Sequence, residues 1–497
     1  MKLRTPGFWL IAVLLGLLAL LPMQAFAGIT PEEVKLFEGY KAKAETGDAA
    51  AQMDLSICFR EGKGVSADFV QAAGWCRRSA LQGNALAQNA LGVHYTMGLG
   101  VAQDMTEGAK WTRKAAEQGL AKAQVNVGMD LLSEQNPANV GKIYGRDDLS
   151  ESKGAALAVV WFRKAADQGD SRGQGMLGAC YLKGWGIPID PVQGVSWLMK
   201  GAAQGDPEAQ RNLGYCYASG EGVSKDEVEA VKWTRKAADQ GDIEAHCNLG
   251  RLFVNDASVL KDEVEAVKWF RKAAERGSPE GAYNLGNMLF HGQGVAKDVP
   301  QALGWIHKSA EQGWAEAQYV LGLCYNHGIG VAKDLPQAFA WWHKAAEQGH
   351  ATAQGWVGNC YRYGDGVAKD EAKGVSWYRK SAEQGDANAQ FMLGVCYENG
   401  AGVSKDTVQA FSWWRKAAEM GNASAQFALG VHYASGSAAT KDEVEAFAYF
   451  VLAGSTDEAA RNNLALLKTI MSPEAISRGQ QRAQEMQKAI QAKQAGK

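Results

Sequence analysis

Apolar and small residues recur along the chain in a repeating pattern, and within each repeat their spacing is that of two short helices. Between residues 386 and 421, Ala389, Leu393 and Tyr397 stand four residues apart and therefore share one face of a first helix. Gly400 ends that helix, and Asp406 begins a second one. The pattern predicts a helix–turn–helix repeat whose core lies between its two helices.

A glycine marks the start of each repeat, and 36 residues separate it from the next glycine except at one longer interval of 50. These glycines are Gly47, Gly83, Gly119, Gly169, Gly205, Gly241, Gly277, Gly313, Gly349, Gly385 and Gly421. A tryptophan follows 28 residues later in nine of the eleven repeats and 42 residues later in the longer one, and Tyr449 takes its place in the last. A further glycine, such as Gly394, recurs inside the first helix, where it costs about 1 kcal/mol relative to alanine. Its recurrence predicts close contact between the two helices of a repeat.

Acidic residues mark the starts of the second helices. An aspartate recurs there as a predicted N-cap, at Asp68, Asp104, Asp226, Asp262, Asp298, Asp334, Asp370 and Asp442. Glu229 and Glu265 follow three residues after such aspartates, so they predict capping boxes. Later in the second helices, a ladder of cations such as Lys114 stands three residues before acids such as Glu117, which predicts weak ion pairs on the helix surface.

These residues resemble a known repeat family. The string AQFMLGVCYENGAGV from Ala389 to Val403, followed by Asp406, Ala410, Trp413 and Arg415-Lys416-Ala417-Ala418-Glu419, is similar to the Sel-1-like repeat, a relative of the tetratricopeptide repeat. The resemblance covers about residues 47–457. It implies an all-α fold, a right-handed α/α superhelical solenoid of about eleven repeats with the first helices on its concave side. Residues 28–46 are expected to form an N-terminal capping helix, and residues 458–497 C-terminal capping helices and a polar tail.

The first residues predict export. Lys2 and Arg4 precede an apolar run from Phe8 to Leu21, and Ala25-Phe26-Ala27 provides a cleavage pattern of small residues. Residues 1–27 are therefore expected to be a signal peptide removed after Ala27. The run is shorter than the roughly 20 residues of a spanning helix, which disfavours a retained anchor. The expected location is the periplasm, with secretion as the alternative.

Charge and cysteine content narrow the function classes. Lys and Arg number 52 against 54 Asp and Glu, a balance that argues against a nucleic-acid partner. Six of the eight cysteines fall at one position of the repeat, where equivalent Cα atoms should lie about 8–10 Å apart, beyond the roughly 7 Å limit of a disulfide. Buried free thiols are expected, and Cys58 with Cys76 is the pair left open.

The sequence predicts no catalytic, cofactor or metal site. The eight histidines show no zinc-binding spacing. Ser150/Lys153 and Ser258/Lys261 match Ser-x-x-Lys, but the companion motifs of penicillin-recognising enzymes are missing. Gly-x-Gly occurs at nearly every first-helix end, so it indicates a turn.

Positions that differ between repeats predict a partner-binding groove. A solenoid keeps its core constant and varies its exposed face, where Tyr, Arg, Asn and His are typical anchors. The candidates are Arg211, Tyr215, Arg251, Tyr283, Asn287, His291, Tyr319, Asn326, His327, Asn359, Arg362 and Tyr363. Beside them runs an acidic row that could select a basic segment or cap the helices, made of Glu208, Glu244, Glu280 and Glu316.

The insertion at about residues 133–152 is a second candidate site. It replaces a short glycine turn with a polar loop that carries Ile143, Tyr144 and Arg146. Together these features favour a non-enzymatic exported scaffold that binds a protein or extended peptide in its groove. The alternative is an envelope protein that binds or modifies peptidoglycan, with hydrolase or β-lactam-related activity.

Overall fold

In nine of the eleven repeats, two helices are joined by a turn that starts with a left-handed glycine, whereas the first helix of the sixth repeat is capped by Asn255. The computed structural model describes residues 29–132, 151–255, 258, 260–437, 439–454 and 457–495, which contain 25 helices and no strand. The chain divides into an N-terminal unit, Met1–Asp262, and a C-terminal unit, Glu263–Lys497. The prediction of an all-helical α/α solenoid of about eleven repeats is confirmed.

Among the described residues of the N-terminal unit, α1 comes first and is followed by first and second helices in alternation. Its helices are α1 (Pro31–Glu45), α2 (Ala49–Glu61), α3 (Phe69–Leu81), α4 (Ala85–Met97), α5 (Met105–Glu117), α6 (Ala121–Leu132), α7 (Glu151–Asp167), α8 (Ser171–Lys183), α9 (Pro191–Ala203), α10 (Pro207–Ser219), α11 (Glu227–Asp239) and α12 (Ile243–Val254).

The C-terminal unit continues the alternation and ends with two further helices. Its helices are α13 (Glu263–Glu275), α14 (Pro279–His291), α15 (Val299–Glu311), α16 (Ala315–His327), α17 (Leu335–Glu347), α18 (Ala351–Tyr363), α19 (Glu371–Glu383), α20 (Ala387–Asn399), α21 (Thr407–Glu419), α22 (Ala423–Ser435), α23 (Glu443–Ala453), α24 (Glu458–Ile470) and α25 (Pro473–Ala495). Helix α25 packs on α23, where Gly479 meets Phe447, and Lys493 reaches Glu419 of α21 at 2.6 Å. No helix within these described ranges is both long and apolar enough to cross a membrane.

The turn between the two helices of a repeat requires glycine. Gly400 ends α20 in the left-handed conformation, and its N–H donates a hydrogen bond to the carbonyl of Cys396. Gly402 also has a positive φ of 72°, and a Cβ there would lie 2.2 Å from the backbone oxygen of Glu371. Asp406 then caps α21, because its Oδ1 accepts from the Gln409 N–H at 2.9 Å. The predicted aspartate cap is confirmed here and at the equivalent Asp370.

The capping box predicted at Glu229 is wrong. Asp226 caps α11 by accepting from the Glu229 N–H at 3.0 Å, but its own N–H already donates to the carbonyl of Tyr217 at 2.9 Å. No donor remains for the Glu229 carboxylate, which instead accepts from Lys232 at 2.7 Å. The Glu265 carboxylate likewise accepts from a lysine and a tryptophan of its own helix, Lys268 and Trp269.

The recurrent glycine of the first helix packs directly on the second helix. A Cβ at Gly178 would lie 2.9 Å from the carbonyl oxygen of Gly194 and 2.8 Å from Leu198 Cγ. At Gly394 it would lie 2.5 Å from Trp414 Nε1, closer than Cβ atoms are found. The predicted close contact is confirmed, and it involves side chains as well as backbone.

The cation ladder lies over the recurrent tryptophans. In all ten repeats that carry the tryptophan, the Lys or Arg three residues later stands above its ring, with the charged group 3.9–4.9 Å from the ring centroid. Glu117, the predicted partner of Lys114, instead accepts from Arg113 at 2.7 Å. The ladder is therefore a row of cation–π contacts.

Buried glutamines join successive repeats. In the first helix, Gln354 donates to the carbonyl of Ala346 in the preceding repeat at 3.1 Å, and its Oε1 accepts from Gln384 at 2.8 Å. The same two bonds occur at Gln52, Gln88, Gln124, Gln174, Gln210 and Gln318. We call these bonds the glutamine ladder. It satisfies polar groups that would otherwise be buried without partners.

Candidate interaction face

The predicted partner residues lie on the first helices α10 and α12 of the N-terminal unit and α14, α16 and α18 of the C-terminal unit, and we call the surface that the first helices present within each unit the first-helix face. Successive first helices approach one another within each unit, as α8 and α10 do in the N-terminal unit and α18 and α20 in the C-terminal unit. Arg211, Tyr215 and Arg251 belong to the N-terminal unit, and the other nine belong to the C-terminal unit.

Two tyrosines are the most exposed aromatic anchors of this face. Tyr363 at the end of α18 is 58% exposed, and Tyr215 of α10 is 49% exposed. The Lys183 ammonium lies 5.3 Å from the Tyr215 ring centroid, and the Arg362 guanidinium lies 5.5 Å from that of Tyr363. Each tyrosine therefore has a cation near its ring and about half of its surface open to a partner.

Five other candidates have contacts with neighbours on their own helices. Arg251, His291 and His327 are exposed, while Asn287 and Asn326 are half-buried. The Arg251 guanidinium donates to Asn248 on the same helix, His291 meets Phe290 edge to face, and Asn326 lies 3.3 Å from the His327 ring nitrogen. Asn287 hydrogen-bonds the Tyr283 phenol.

Arg211 is engaged inside the protein. Its side chain is only 12% exposed, and its Nη1 lies 2.8 Å from Asp242 Oδ2 and 3.1 Å from Glu244 Oε2 of the next first helix. Glu208 of the acidic row lies nearby, and burial raises the pKa of its carboxyl to about 7. Arg211 therefore joins two repeats, and its charge is already balanced.

Asn359 and Arg362 also have internal partners. The Tyr378 hydroxyl donates to Asn359 Oδ1 at 2.7 Å, and Arg362 Nη1 donates to Cys396 Sγ at 3.2 Å. Burial raises the pKa of the Tyr378 phenol and outweighs the opposite effect of the nearby Arg362. These two residues therefore link α18 to α19 and α20 as well as facing solvent.

Tyr319 is the centre of an aromatic group in the C-terminal unit. Its ring stacks on His350 with centroids 4.8 Å apart, and His350 Nε2 lies 3.0 Å from Glu316 Oε2. Because His350 Nδ1 accepts from the Ala353 N–H, Nε2 carries the proton and donates to Glu316. Trp356 hydrogen-bonds the Tyr319 phenol and stacks on Trp342 with centroids 4.7 Å apart. Tyr283, half-buried on the preceding first helix, has its pKa raised to about 12 by burial.

Sequence reasoning missed His350, Trp356 and Gly355 beside this group. The sequence did contain a signal for Gly355. The residue six positions after the first glycine is aromatic in four C-terminal repeats, and Gly355 takes that position in the repeat between Tyr319 and Phe391. The four aromatic residues are Tyr283, Tyr319, Phe391 and Phe427.

The remaining predictions concern the cysteine thiols, metal binding and the insertion. All eight cysteines are buried free thiols, as expected, and burial raises the pKa of Cys76, Cys180, Cys216 and Cys360 to about 12. In the part of the chain that the structure describes, no three His, Cys, Asp or Glu side chains are grouped as metal ligands. Ile143, Tyr144 and Arg146 lie outside the described residues.

Comparison with known proteins assigns the chain to a class of repeat proteins. The Sel1 repeat model matches eleven consecutive segments, at residues 49–84, 85–120, 138–170, 171–206, 207–242, 243–278, 279–314, 315–350, 351–386, 387–422 and 423–455. The chain therefore belongs to the Sel1 repeat family. Sel1 repeat proteins are generally scaffolds for protein–protein interaction and typically non-enzymatic adaptors.

Two solved structures illustrate the relationship. The chain is 35% identical to c5321, a protective antigen of uropathogenic Escherichia coli strains that displays the SLR fold, over 93% of this chain and 97% of that one, with a TM-score of 0.62. It is 33% identical to a Sel1 repeat protein from Oxalobacter formigenes, over 64% of this chain and 88% of that one, with a TM-score of 0.47. No curated protein matches the chain.

Proposed function

We propose that this protein is an exported, non-enzymatic scaffold that binds another protein or an extended peptide on its first-helix face. The observation that carries the proposal is the pair Tyr215 and Tyr363, two aromatic residues that are about half exposed on that face. Tyrosine is enriched at binding hot spots because its ring gives a large contact area and its hydroxyl a hydrogen bond. The surrounding core positions repeat, whereas these positions differ from repeat to repeat, which suits selective recognition.

The export part of the proposal rests on the N-terminal segment. Lys2 and Arg4, the apolar run and Ala25-Phe26-Ala27 have the order of a cleaved leader. We therefore place the working protein in the periplasm, with release from the cell as the alternative. Its partner would be another exported or envelope protein.

Capture from an envelope extract tests the proposal. The baits are the native chain, Tyr215→Ala and Tyr363→Ala, and bound proteins are identified by mass spectrometry. Val192→Ala and Val408→Ala serve as controls, because both valines are about as exposed as the tyrosines or more so and lie on second helices. We expect a partner that the native and control baits retain and that at least one tyrosine variant loses.

The two tyrosine variants also locate the contact. Loss only with Tyr215→Ala would place it on the N-terminal unit, and loss only with Tyr363→Ala on the C-terminal unit. Equal recovery by every bait would contradict binding at these tyrosines and would direct attention to the insertion at residues 133–152. Recovery of no partner by the native chain would contradict the scaffold function itself.

A further inference from the structure

Gly355 lies inside α18 without the packing reason that neighbouring helix glycines have. A Cβ at Gly322 would lie 2.4 Å from Trp342, and one at Gly358 would lie 2.6 Å from Tyr378, so larger residues do not fit there. A Cβ at Gly355 would meet only Ser381 Oγ at 3.5 Å and Ala389 Cβ at 3.9 Å, which are ordinary contact distances. Because glycine within a helix lowers stability relative to alanine, Gly355 costs stability without a core contact to require it.

The absence of a side chain at Gly355 leaves a notch in a row of aromatic residues. Tyr319 occupies the same position in the preceding repeat, and Phe391 in the following one. Gly355 and Trp356 are both partly open to solvent. We call this place the Gly355 notch and define it by Gly355, Tyr319, Trp356, Glu316 and Asp386. Its rings are held in place by the His350 and Trp342 stacks described above.

The charge at the Gly355 notch is negative. Burial is the main cause that raises the pKa of the Tyr319 phenol, and the negative charges of Glu316 and Asp386 raise it further. The Glu316 side chain is 46% exposed and has the His350 N–H as its partner. One Asp386 oxygen accepts from the Ala389 N–H at 2.8 Å, which places this carboxylate beside the Cβ that borders Gly355. The nearest arginine toward the end of α18, Arg362, is turned to Cys396 and Tyr378.

We propose that the Gly355 notch receives a lysine or arginine side chain from the partner that the first-helix face binds. This inference rests on the proposed function and names the chemistry of the partner segment. A cation is attracted to the faces of aromatic rings and to carboxylates, and the notch offers both from three successive repeats. The same chain already places ten of its own cations over tryptophan rings, so the contact is one that its helices readily form. An acidic partner segment would be repelled by Glu316 and Asp386.

Selection of peptides on the full chain tests the inference. A library of random, unstructured peptides is displayed and selected on the native protein, and the selected sequences are aligned. We expect Lys or Arg at one fixed position. For one selected peptide and its Arg→Gln or Lys→Gln version, fluorescence anisotropy then gives the affinity for the native protein and for three variants, Gly355→Tyr, Glu316→Gln and Gly304→Tyr.

Gly355→Tyr restores the ring that Tyr319 provides one repeat earlier, so we expect the helix to form and the notch to be filled. Affinity for the basic peptide should fall about tenfold in Gly355→Tyr and in Glu316→Gln, and the native affinity should fall with rising salt. Gly304→Tyr is the matched control, because Gly304 is exposed on the second helix α15 with no neighbour near its Cβ position. Its affinity should equal that of the native protein.

Two results would overturn the inference while leaving the scaffold function intact. One is the selection of peptides that share no basic residue at a fixed position. The other is a folded Gly355→Tyr variant that binds the basic peptide as tightly as the native protein does. Selection of no peptide by the native chain would count against both proposals. Circular dichroism on every variant shows that loss of binding is not loss of fold.

Discussion

The Oε1 atom of Gln390 is buried without a hydrogen-bond donor among the described residues, because Met420 stands where other repeats carry glutamine. Its Nε2 still donates to Ala382 at 3.0 Å. We expect Met420→Gln to complete the glutamine ladder there and to raise the free energy of unfolding by about 1 kcal/mol. The denaturant midpoint measures the change.

The opposite substitution in the preceding repeat is its control. Gln384→Met removes the side-chain amide that donates to Gln354 Oε1. The free energy of unfolding should fall by about 1–3 kcal/mol, because this buried acceptor then lacks a partner. Equal midpoints for the native protein and Met420→Gln would show that the side chain of Gln390 reaches water in solution.

The buried thiols predict loss of stability at high pH. Burial raises the pKa of Cys180, Cys216 and Cys360 from about 9 to about 12, so the folded state keeps these protons where the unfolded state loses them. Their contribution to stability is complete below a pH of about 9 and is lost as the pH rises toward about 12. The urea midpoint should therefore fall over that range.

The variant Cys180→Ala/Cys216→Ala/Cys360→Ala separates this effect from other alkaline titrations. Tyr283 and Tyr449, whose pKa values are also raised to about 12, titrate in the same direction in both proteins. The variant should show a shallower decline of the midpoint with pH. An identical slope would mean that the thiols ionise equally in the folded and unfolded states.

The sequence identified the variable positions of the first helices, but it did not show what their side chains contact. Arg211 and Arg362 stand at variable positions of the first helices, as predicted, but Asp242 and Cys396 that bind them belong to the following repeat. Such a contact depends on the spacing and rotation between neighbouring helices. A periodic pattern fixes the phase within one helix and leaves that geometry open.

Among the helices, the aspartate cap of α21 offers a direct test of how much one helix terminus contributes to the free energy of unfolding. Asp406→Ala leaves the Gln409 N–H without its acceptor and should lower the free energy of unfolding by about 1 kcal/mol. Asp406→Asn retains a side-chain oxygen and should lose much less. Thermal unfolding followed by circular dichroism compares the three proteins, and an Asn variant as unstable as the Ala variant would contradict a capping role.

Helix positions were predictable because two independent signals coincide in each repeat. The four-residue spacing of Leu393 and its neighbours sets the helix face, and the glycine and aspartate set its ends. The absence of a capping box at Glu229 was not predictable, because the competing acceptor, the Tyr217 carbonyl, comes from the preceding helix. The Gly394 contact was predictable because a costly residue that recurs inside a helix needs a close neighbour.

For the molecule as a whole, export predicts a defined N-terminus. The protein recovered from a periplasmic fraction should begin at Gly28, and intact-mass spectrometry can show it. Ala27→Leu removes the small residue that signal peptidase requires, so the uncleaved chain should then accumulate. A periplasmic native protein that retains Met1 would contradict cleavage, and one confined to the cytoplasm would contradict export.

The glutamine ladder has a consequence for how such a chain can change over evolutionary time. Nine of the eleven repeats use the same pair of groups at this joint, a glutamine amide and an alanine carbonyl such as that of Ala346, while His246 and Ala282 replace the glutamine in the other two. Recombination that removes or duplicates one whole repeat would therefore bring together two edges that already match. The gene could gain or lose length in steps of one repeat without a new joint having to be invented, while the partner-facing positions diverge independently.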